Sequence, residues 1–165
     1  MEGLGMRGIF FIADTHFGHR NVILFEQEHR PFATIEEHDE HIIANWNSVV
    51  KKDDIVYHLG DFCVNRSSLQ VARRLNGKIV LIQGNHDTFR TSEYLDVGFS
   101  SVRGAVQLDR VILTHIPIHP SQLDERFTHN VHGHLHSKKL DDNRYINVSC
   151  EAINLCPLAY ETLYR

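Results

Sequence analysis

Ile9-Phe10-Phe11-Ile12-Ala13-Asp14-Thr15-His16 is the stretch that decides the fold. Four apolar residues, each β-branched or aromatic, run unbroken into an Asp and a His two positions apart. So short an apolar run, closed by polar residues, predicts a strand buried on both faces. The design recurs along the chain. Ile55 to Leu59 closes on Gly60-Asp61, Ile79 to Ile82 on Gly84-Asn85-His86-Asp87, and Val111 to Leu113 on Thr114-His115. A fifth cluster, Gly133-His134-Leu135-His136, comes later. In Asp14-x-His16 and His134-x-His136 the paired residues are two apart, which on an extended backbone points both side chains the same way. Gly60, Gly84 and Gly133 permit tight turns and close backbone approach beside these residues. Asp, Asn and His supply the oxygen and imidazole donors that hold borderline divalent transition metals. The crevice outside the carboxyl ends of strands is the usual binding place of an open α/β sheet. A metal site and an enzyme are the expectation.

Between the first two apolar runs the sequence predicts a long helix. Thr34 and Glu37 form a capping box just after Pro31, and Ile35, Ile42, Trp46 and Val49 follow at helical spacing. Ser67 with Gln70 predicts a second capped helix through Leu69, Ala72 and Leu75, stopped at Asn76-Gly77. Strand and helix alternate in the first half, as in parallel βαβ units, whereas the sequence from about Val102 onward reads as shorter strands and loops.

Length and composition set outer bounds. A chain of 165 residues with no repeat, linker or low-complexity stretch is one domain's worth. A net charge of -4 leaves no polybasic footprint for a protein held mainly by phosphate neutralisation. Cys63, Cys150 and Cys156 lie outside any CxxC and cannot all pair, so a reduced, cytoplasmic protein is expected. Ile9 to Ile12 is too short to span a membrane and lacks the features of a signal peptide. Thirteen histidines exceed what five clusters need, so each must be argued separately.

The order DxH, GD, GNHD, isolated His and GHxH, running from residue 14 to residue 136, resembles the calcineurin-like metallophosphoesterase superfamily. Ala13 to His19, Arg30-Pro31-Phe32, Asn45-Trp46-Asn47 and Tyr57 to Phe62 look like a small prokaryotic branch of predicted phosphoesterases. The resemblance implies an α/β fold, a four-layer αββα sandwich of two mixed β-sheets flanked by helices. It implies that residues 1–165 form a single metallophosphoesterase domain without a cap. The activity implied is hydrolysis of P–O ester bonds, phosphodiesters before monoesters, by a bridging hydroxide at a dinuclear metal centre. Asp14, His16, Asp61 and His136 would hold one ion, and Asp61, Asn85, His115 and His134 the other, with Asp61 shared. His86 would act on the substrate, and Asp87 would orient His86. Four imidazoles in this set disfavour Ca²⁺ and Mg²⁺, leaving Mn²⁺ first, with Fe, Zn²⁺ or Ni²⁺ as alternatives. The fourth motif departs from the superfamily's frequent Gly-His, having Thr114-His115.

The implied substrates are small phosphate esters or nucleotides, with nucleic-acid ends as a further class and no membrane partner. Two other readings stay open: a phosphomonoesterase on the same site, and a non-catalytic interaction module on the same fold. The HxHxDH signature of metallo-β-lactamase-like hydrolases is absent. Outside the ligand set, His19 and Arg30 are candidate phosphate contacts. His58, within a strand, reads as structural. His38 and His41 read as part of a solvated helix face, His132 as lining or supporting the site, and Cys150 and Cys156 as packed and inert.

Overall fold

The computed structural model describes residues 7–123 and 126–163. The apolar runs become strands at the expected places. β1 (Ile9–Ile12), β2 (Ile55–His58), β3 (Lys78–Ile82) and β4 (Ser101–Arg103) are parallel. β5 (Val106–Leu108), β6 (Val111–Thr114), β7 (His129–His132) and β8 (Tyr145–Asn147) form a second sheet in that order. β9 (Leu158–Ala159) returns antiparallel to β1, so the first sheet is ordered β4-β3-β2-β1-β9. One antiparallel pair in each sheet, β1–β9 and β5–β6, makes both sheets mixed.

Two mixed sheets with flanking helices form the α/β sandwich expected from the sequence. The helical layers are unequal. The described α-helices, α1 (Arg20–Phe25), α2 (Ile35–Val49), α3 (Arg66–Leu69) and α4 (Thr91–Asp96), all precede Ser101. On the second sheet's outer face, the connection after β6 is tied down by side chains. Asn130 Oδ1 accepts the Ile118 N–H at 3.0 Å, and the Tyr145 hydroxyl donates to the Ile118 carbonyl at 2.6 Å. Among the described residues, no helix is long and apolar enough to cross a membrane.

Thr34 caps α2 as read: its hydroxyl accepts the Glu37 N–H at 3.1 Å. The Glu37 carboxylate reaches back to the N–H of Ala33 at 3.2 Å. The second expected cap is displaced. Asn65, not Ser67, begins α3, accepting the Ser68 N–H at 2.8 Å, while the Ser67 hydroxyl donates to Asn65 at 2.6 Å. Asn is at least as good a cap as Ser, and here it stands two residues earlier. The helix then tightens to a 3₁₀ segment, Gln70–Arg74.

α2 buries Ile35, His38, Ile42, Ile43 and Trp46. Trp46 sits in a cluster with Phe62, Leu81 and Tyr94, its indole N–H satisfied by the Asn76 carbonyl at 2.9 Å. A second cluster fills the space between the sheets, with Phe11, Leu59 and Ile82 from the first and Val111, Leu113 and Val131 from the second. Burial of side chains of this size, at about 1.5–3 kcal/mol each, fixes one sheet on the other.

Register places the functional edge. Ile12 pairs with His58 and His58 with Leu81, so β1, β2 and β3 end at one level. Thr114 pairs with His132 in the second sheet. The sheets are stitched together at Ala13, whose N–H donates to Val148 at 2.8 Å and whose carbonyl accepts from Cys150 at 3.0 Å. All five sequence clusters therefore emerge along one shared edge.

Candidate metal centre

The loops at this edge have an unusual backbone. Asp14, His16, Asp61, His134 and His136 all have left-handed φ, between 49° and 69°. These are five of the eight described non-glycine residues with positive φ. The conformation costs an L-residue roughly 1–2 kcal/mol. Such outliers persist where the surrounding structure over-determines them, typically at functional sites. The i, i+2 pairs thus converge by a route other than the expected one. Asp14 and His16 lie beyond β1 on a left-handed turn, not on an extended strand. Two glycines make room for that turn geometry. A Cβ on Gly84 would lie 2.3 Å from Asp61 Oδ1, and one on Gly133 would lie 2.6 Å from Asp14 Oδ2.

The side chains gather into two groups, each with its ligand atoms within 4.8 Å of one another: Asp14, His16 and His136, and Asp61, His115 and His134. Asp61 Oδ2 stands between them, 3.7 Å from His16 Nε2 and 3.5 Å from His115 Nε2. In the first group, Asp14 Oδ1 is 3.9 Å from both His16 Nε2 and His136 Nε2. In the second, Asn85 Oδ1 is 3.0 Å from His115 Nε2 and 3.0 Å from His134 Nδ1, and those two nitrogens are 3.2 Å apart. Neighbouring donors around one ion, with bonds of about 2.1 Å, stand roughly 3.0–3.4 Å apart.

The donors' other bonds prepare them for a cation. His115 Nδ1–H donates to the Leu59 carbonyl at 2.7 Å, which leaves the Nε2 lone pair facing the centre. Asp14 Oδ2 and Asp61 Oδ1 are held by the backbone N–H groups of His134 and His86, each at 2.8 Å. Asp14 Oδ1 and both His16 ring nitrogens are buried without any hydrogen-bond partner. Buried polar groups are rarely left so. Burial lifts the Asp14 carboxyl to about 6, despite His115 and His136 nearby, and drives His16 well below its ordinary value. His134 is lowered too, first by burial and then by His115. A neutral imidazole is the form that binds metal. The residues fit divalent ions.

His86 and His19 stand beside these groups. The His86 ring is exposed, its centroid 5.4 Å from that of His16, and His19 lies 5.4 Å from His16 on another side. Together with Val22, Phe25, Glu26 and His136 they line a cleft of about 240 Å³.

Three expectations are corrected. Asp87 does not orient His86. Its carboxylate is buried and accepts the backbone N–H groups of Asp61 and Gly84 at 2.7 and 2.8 Å and of Phe62 at 3.0 Å. Asp87 shapes the turns that carry Asp61 and Asn85. Arg30 is not a phosphate contact, because it is fully buried: Nε donates to Glu151 at 2.6 Å, and the other nitrogens to the Asp14 and Thr15 carbonyls. His38, expected on a solvated face, is buried as well. Arg30 donates to its Nε2 at 2.8 Å, so its Nδ1–H donates to Asp39, which in turn accepts the Gly18 N–H. His41 is exposed as read.

The remaining histidines and cysteines follow the sequence reading. His132 is buried and donates from Nδ1 to the Gly133 carbonyl at 2.8 Å, supporting the turn before His134. Cys63, Cys150 and Cys156 are unpaired, and burial raises all three thiols, that of Cys63 to about 12. His58 is structural. The Thr15 hydroxyl donates to the Phe62 carbonyl, so it accepts the His58 Nε2–H at 2.9 Å. Full burial, aided by His115, depresses His58 to about 3.

A stability prediction follows from His58. Its folded pKa lies below its unfolded value near 6.5, so the unfolded chain binds more protons as pH falls from 6.5 towards 3. The stability contributed by neutral His58 is complete above pH 6.5 and falls by about 1.4 kcal/mol per pH unit below it. Urea unfolding at pH 7 and pH 5 should show a loss about 2 kcal/mol larger for the wild type than for His58→Gln. Equal losses would contradict the assignment.

One residue of the centre carried no sequence signal. Glu151 lies 15 residues after His136 with no motif around it, yet its Oε1 is 3.0 Å from His136 Nδ1. Burial opposes its charge, but the His136 and Arg30 contacts outweigh burial and hold it at about 2.

The comparisons with known proteins agree with this architecture. An uncharacterized protein of Methanocaldococcus jannaschii is 36% identical over 182 residues, covering 98% of this chain and 92% of its own. A crystal structure of a protein of unknown function from Aquifex aeolicus superposes with a TM-score of 0.76 at 25% identity, covering 96% of this chain and 98% of that one. The nuclease MPE of Pseudomonas putida shares the fold, with a TM-score of 0.55 at 22% identity over 78% of this chain and 61% of its own. No protein-family model matches the sequence. Two mixed sheets with paired His/Asp groups at their common edge make up the architecture of this chain. The chain belongs to one family with the Methanocaldococcus jannaschii protein and has the fold of the nuclease MPE.

Proposed function

We propose that the protein is a metal-dependent phosphoesterase with a preference for phosphodiesters, acting at a dinuclear centre. The observation that carries this reading is the position of Asp61 Oδ2, 3.7 Å from His16 Nε2 and 3.5 Å from His115 Nε2, where one carboxylate can serve two ions. Asp14, His16, Asp61 and His136 are assigned to one ion, and Asp61, Asn85, His115 and His134 to the other. Mn²⁺ is the proposed native metal, on the mixed imidazole and oxygen donor set. Divalent ions bound there would supply Lewis acidity and lower the pKa of water, so that after loss of a proton it could attack phosphorus as hydroxide near neutral pH.

The chain's own groups supply the rest. The backbone N–H of His86 is pinned to Asp61 Oδ1, which fixes the turn while leaving the ring exposed in the cleft. From there the imidazole stabilises phosphoryl charge or donates a proton to the departing oxygen. His19, on the same cleft, is assigned to a phosphate oxygen.

The cleft is open at Phe25, which is 77% exposed. An open edge, uncapped among the described residues, suits a diester carrying a substituent on each side of the phosphorus, and an exposed aromatic ring suits a nucleoside as one of them. Nucleotides or nucleic-acid ends are therefore the proposed physiological class, on a single-domain protein. The unpaired cysteines suit a reducing compartment, and the cytoplasm is the proposed location.

The test is hydrolysis of bis(p-nitrophenyl) phosphate and p-nitrophenyl phosphate across a panel of divalent metals. Turnover should require metal, be highest with Mn²⁺, and favour the diester by at least about tenfold, or 1.4 kcal/mol. A reversed preference would make the protein a monoesterase. No turnover of either ester with any metal would leave the interaction-module reading.

A further inference from the structure

We infer that Glu151, clamped by the buried Arg30, is the positioning residue that fixes the ring of His136 for metal binding. This rests on the reading of His136 as a ligand. His136 Nδ1 lies 3.0 Å from Glu151 Oε1, while Nε2 faces Asp14 Oδ1 at 3.9 Å. A carboxylate accepting one ring N–H commits the other nitrogen's lone pair to the metal side and strengthens it as a donor. Among the described residues this is the one hydrogen bond that His136 Nδ1 makes, so the ring's rotation about its side chain is set by this contact.

Glu151 is itself immobilised. Its side chain is fully buried, and Oε1 also accepts Arg30 Nε at 2.6 Å. The same guanidinium donates to the carbonyls of Asp14 and Thr15, the loop that carries the first two ligands. His38 Nε2 accepts from Arg30 Nη1, the same nitrogen that donates to Thr15. One buried cation thus couples the position of Asp14 and His16 to that of His136, residues more than a hundred positions apart in the chain. The planar fork of Arg suits this multiple bonding in a way that Lys would not.

Glu26, His136 and Glu151 also come within ligand distance of one another, which raises the question of a third ion. Glu151 Oε2 is buried without a hydrogen-bond partner, but Arg30 weighs against an ion there. A guanidinium already sits on Glu151 Oε1, and a second cation on that carboxylate would meet its repulsion. Glu26 faces His29 at 3.7 Å.

The experiment compares wild type, Glu151→Gln and Glu151→Ala by Mn²⁺ calorimetry and by proton NMR of the Co²⁺-loaded protein. The wild type should bind two ions. Glu151→Ala should weaken one of them by about 10–100-fold and leave the other unchanged. Gln keeps an oxygen for both His136 and Arg30, so Glu151→Gln should fold like the wild type and fall between the two. In the Co²⁺ form, the shifted exchangeable His136 Nδ1–H signal, shielded by Glu151 in the wild type, should broaden by water exchange in Glu151→Ala. Thermal unfolding of the metal-free proteins separates a folding defect from a positioning one. Unchanged affinity and a sharp N–H signal in both variants would overturn the inference. So would three ions in the wild type with one lost in both Glu151→Ala and Glu26→Ala. A wild type that binds no ion would overturn the metal reading itself.

Discussion

Replacing Asp61 by Asn is expected to lower kcat/KM for a phosphodiester by about three orders of magnitude, a loss of roughly 4 kcal/mol of transition-state stabilisation. The substitution is nearly isosteric. Asn retains an oxygen where Oδ1 accepts the His86 N–H, so the turn at Gly84-Asn85-His86 should stand. What it removes is the negative charge at Oδ2, between His16 Nε2 and His115 Nε2. A carboxamide supplies one neutral donor oxygen where the proposed centre needs an anion shared by two cations. Elemental analysis should therefore find bound metal reduced along with activity, with little change in the melting temperature of the metal-free protein. Full activity with full metal content in Asp61→Asn would contradict a shared ligand.

Replacing His86 by Ala is expected to lower kcat by about 10²–10⁴-fold while leaving the bound metal intact. The two halves of that expectation come from one geometry. The His86 ring is exposed and lies in neither ligand group, so no ion depends on it. Its backbone is fixed by Asp61, and alanine preserves that N–H. Leaving-group dependence separates its two possible roles. As a proton donor, His86 should matter least for a p-nitrophenolate leaving group and most for an alkoxide, whose departure needs the proton. As a stabiliser of phosphoryl charge it should matter equally for both. Unaltered turnover of both ester types in His86→Ala would remove either role while leaving the metal centre standing.

Much of this was legible in the sequence because the informative signals are local. β1, β2 and β3 are short, mostly apolar runs closed within a few residues by a glycine or an Asp, and strand, turn and cluster can be read in one window, as at Ile9 to His16. The α2 start was legible for the same reason, since Thr34 and Glu37 meet within one turn. The misreadings came from contacts across the fold. Arg30, His38 and Glu151 look like surface residues in their own segments, and only the packed structure turns them into one buried chain of contacts beneath the centre. Asp87 sits beside His86 in sequence, but its carboxylate turns inward to the amides of Asp61, Phe62 and Gly84. The left-handed φ of Asp14, His16, Asp61, His134 and His136 was equally hidden, because it is imposed by the junction of two sheets and not by residue type.

That junction also explains why the site tolerates its own strain. Ala13 is bonded to Val148 and Cys150 across the sheets, and Asp14 N–H donates to the Gly60 carbonyl at 2.9 Å. His16 N–H and Phe17 N–H continue the ladder to Asp61 and Phe62 at 3.0 and 2.9 Å. The first two loops are zipped together beyond the ends of their strands, so the ligands they carry cannot relax singly.

The central claim is that two ions share Asp61, and anomalous diffraction from crystals grown with Mn²⁺ tests it most directly. Two peaks about 3.5–4 Å apart are expected, one among Asp14, His16 and His136 and the other among Asn85, His115 and His134, with Asp61 between them. A single peak, or peaks away from Asp61, would contradict the account.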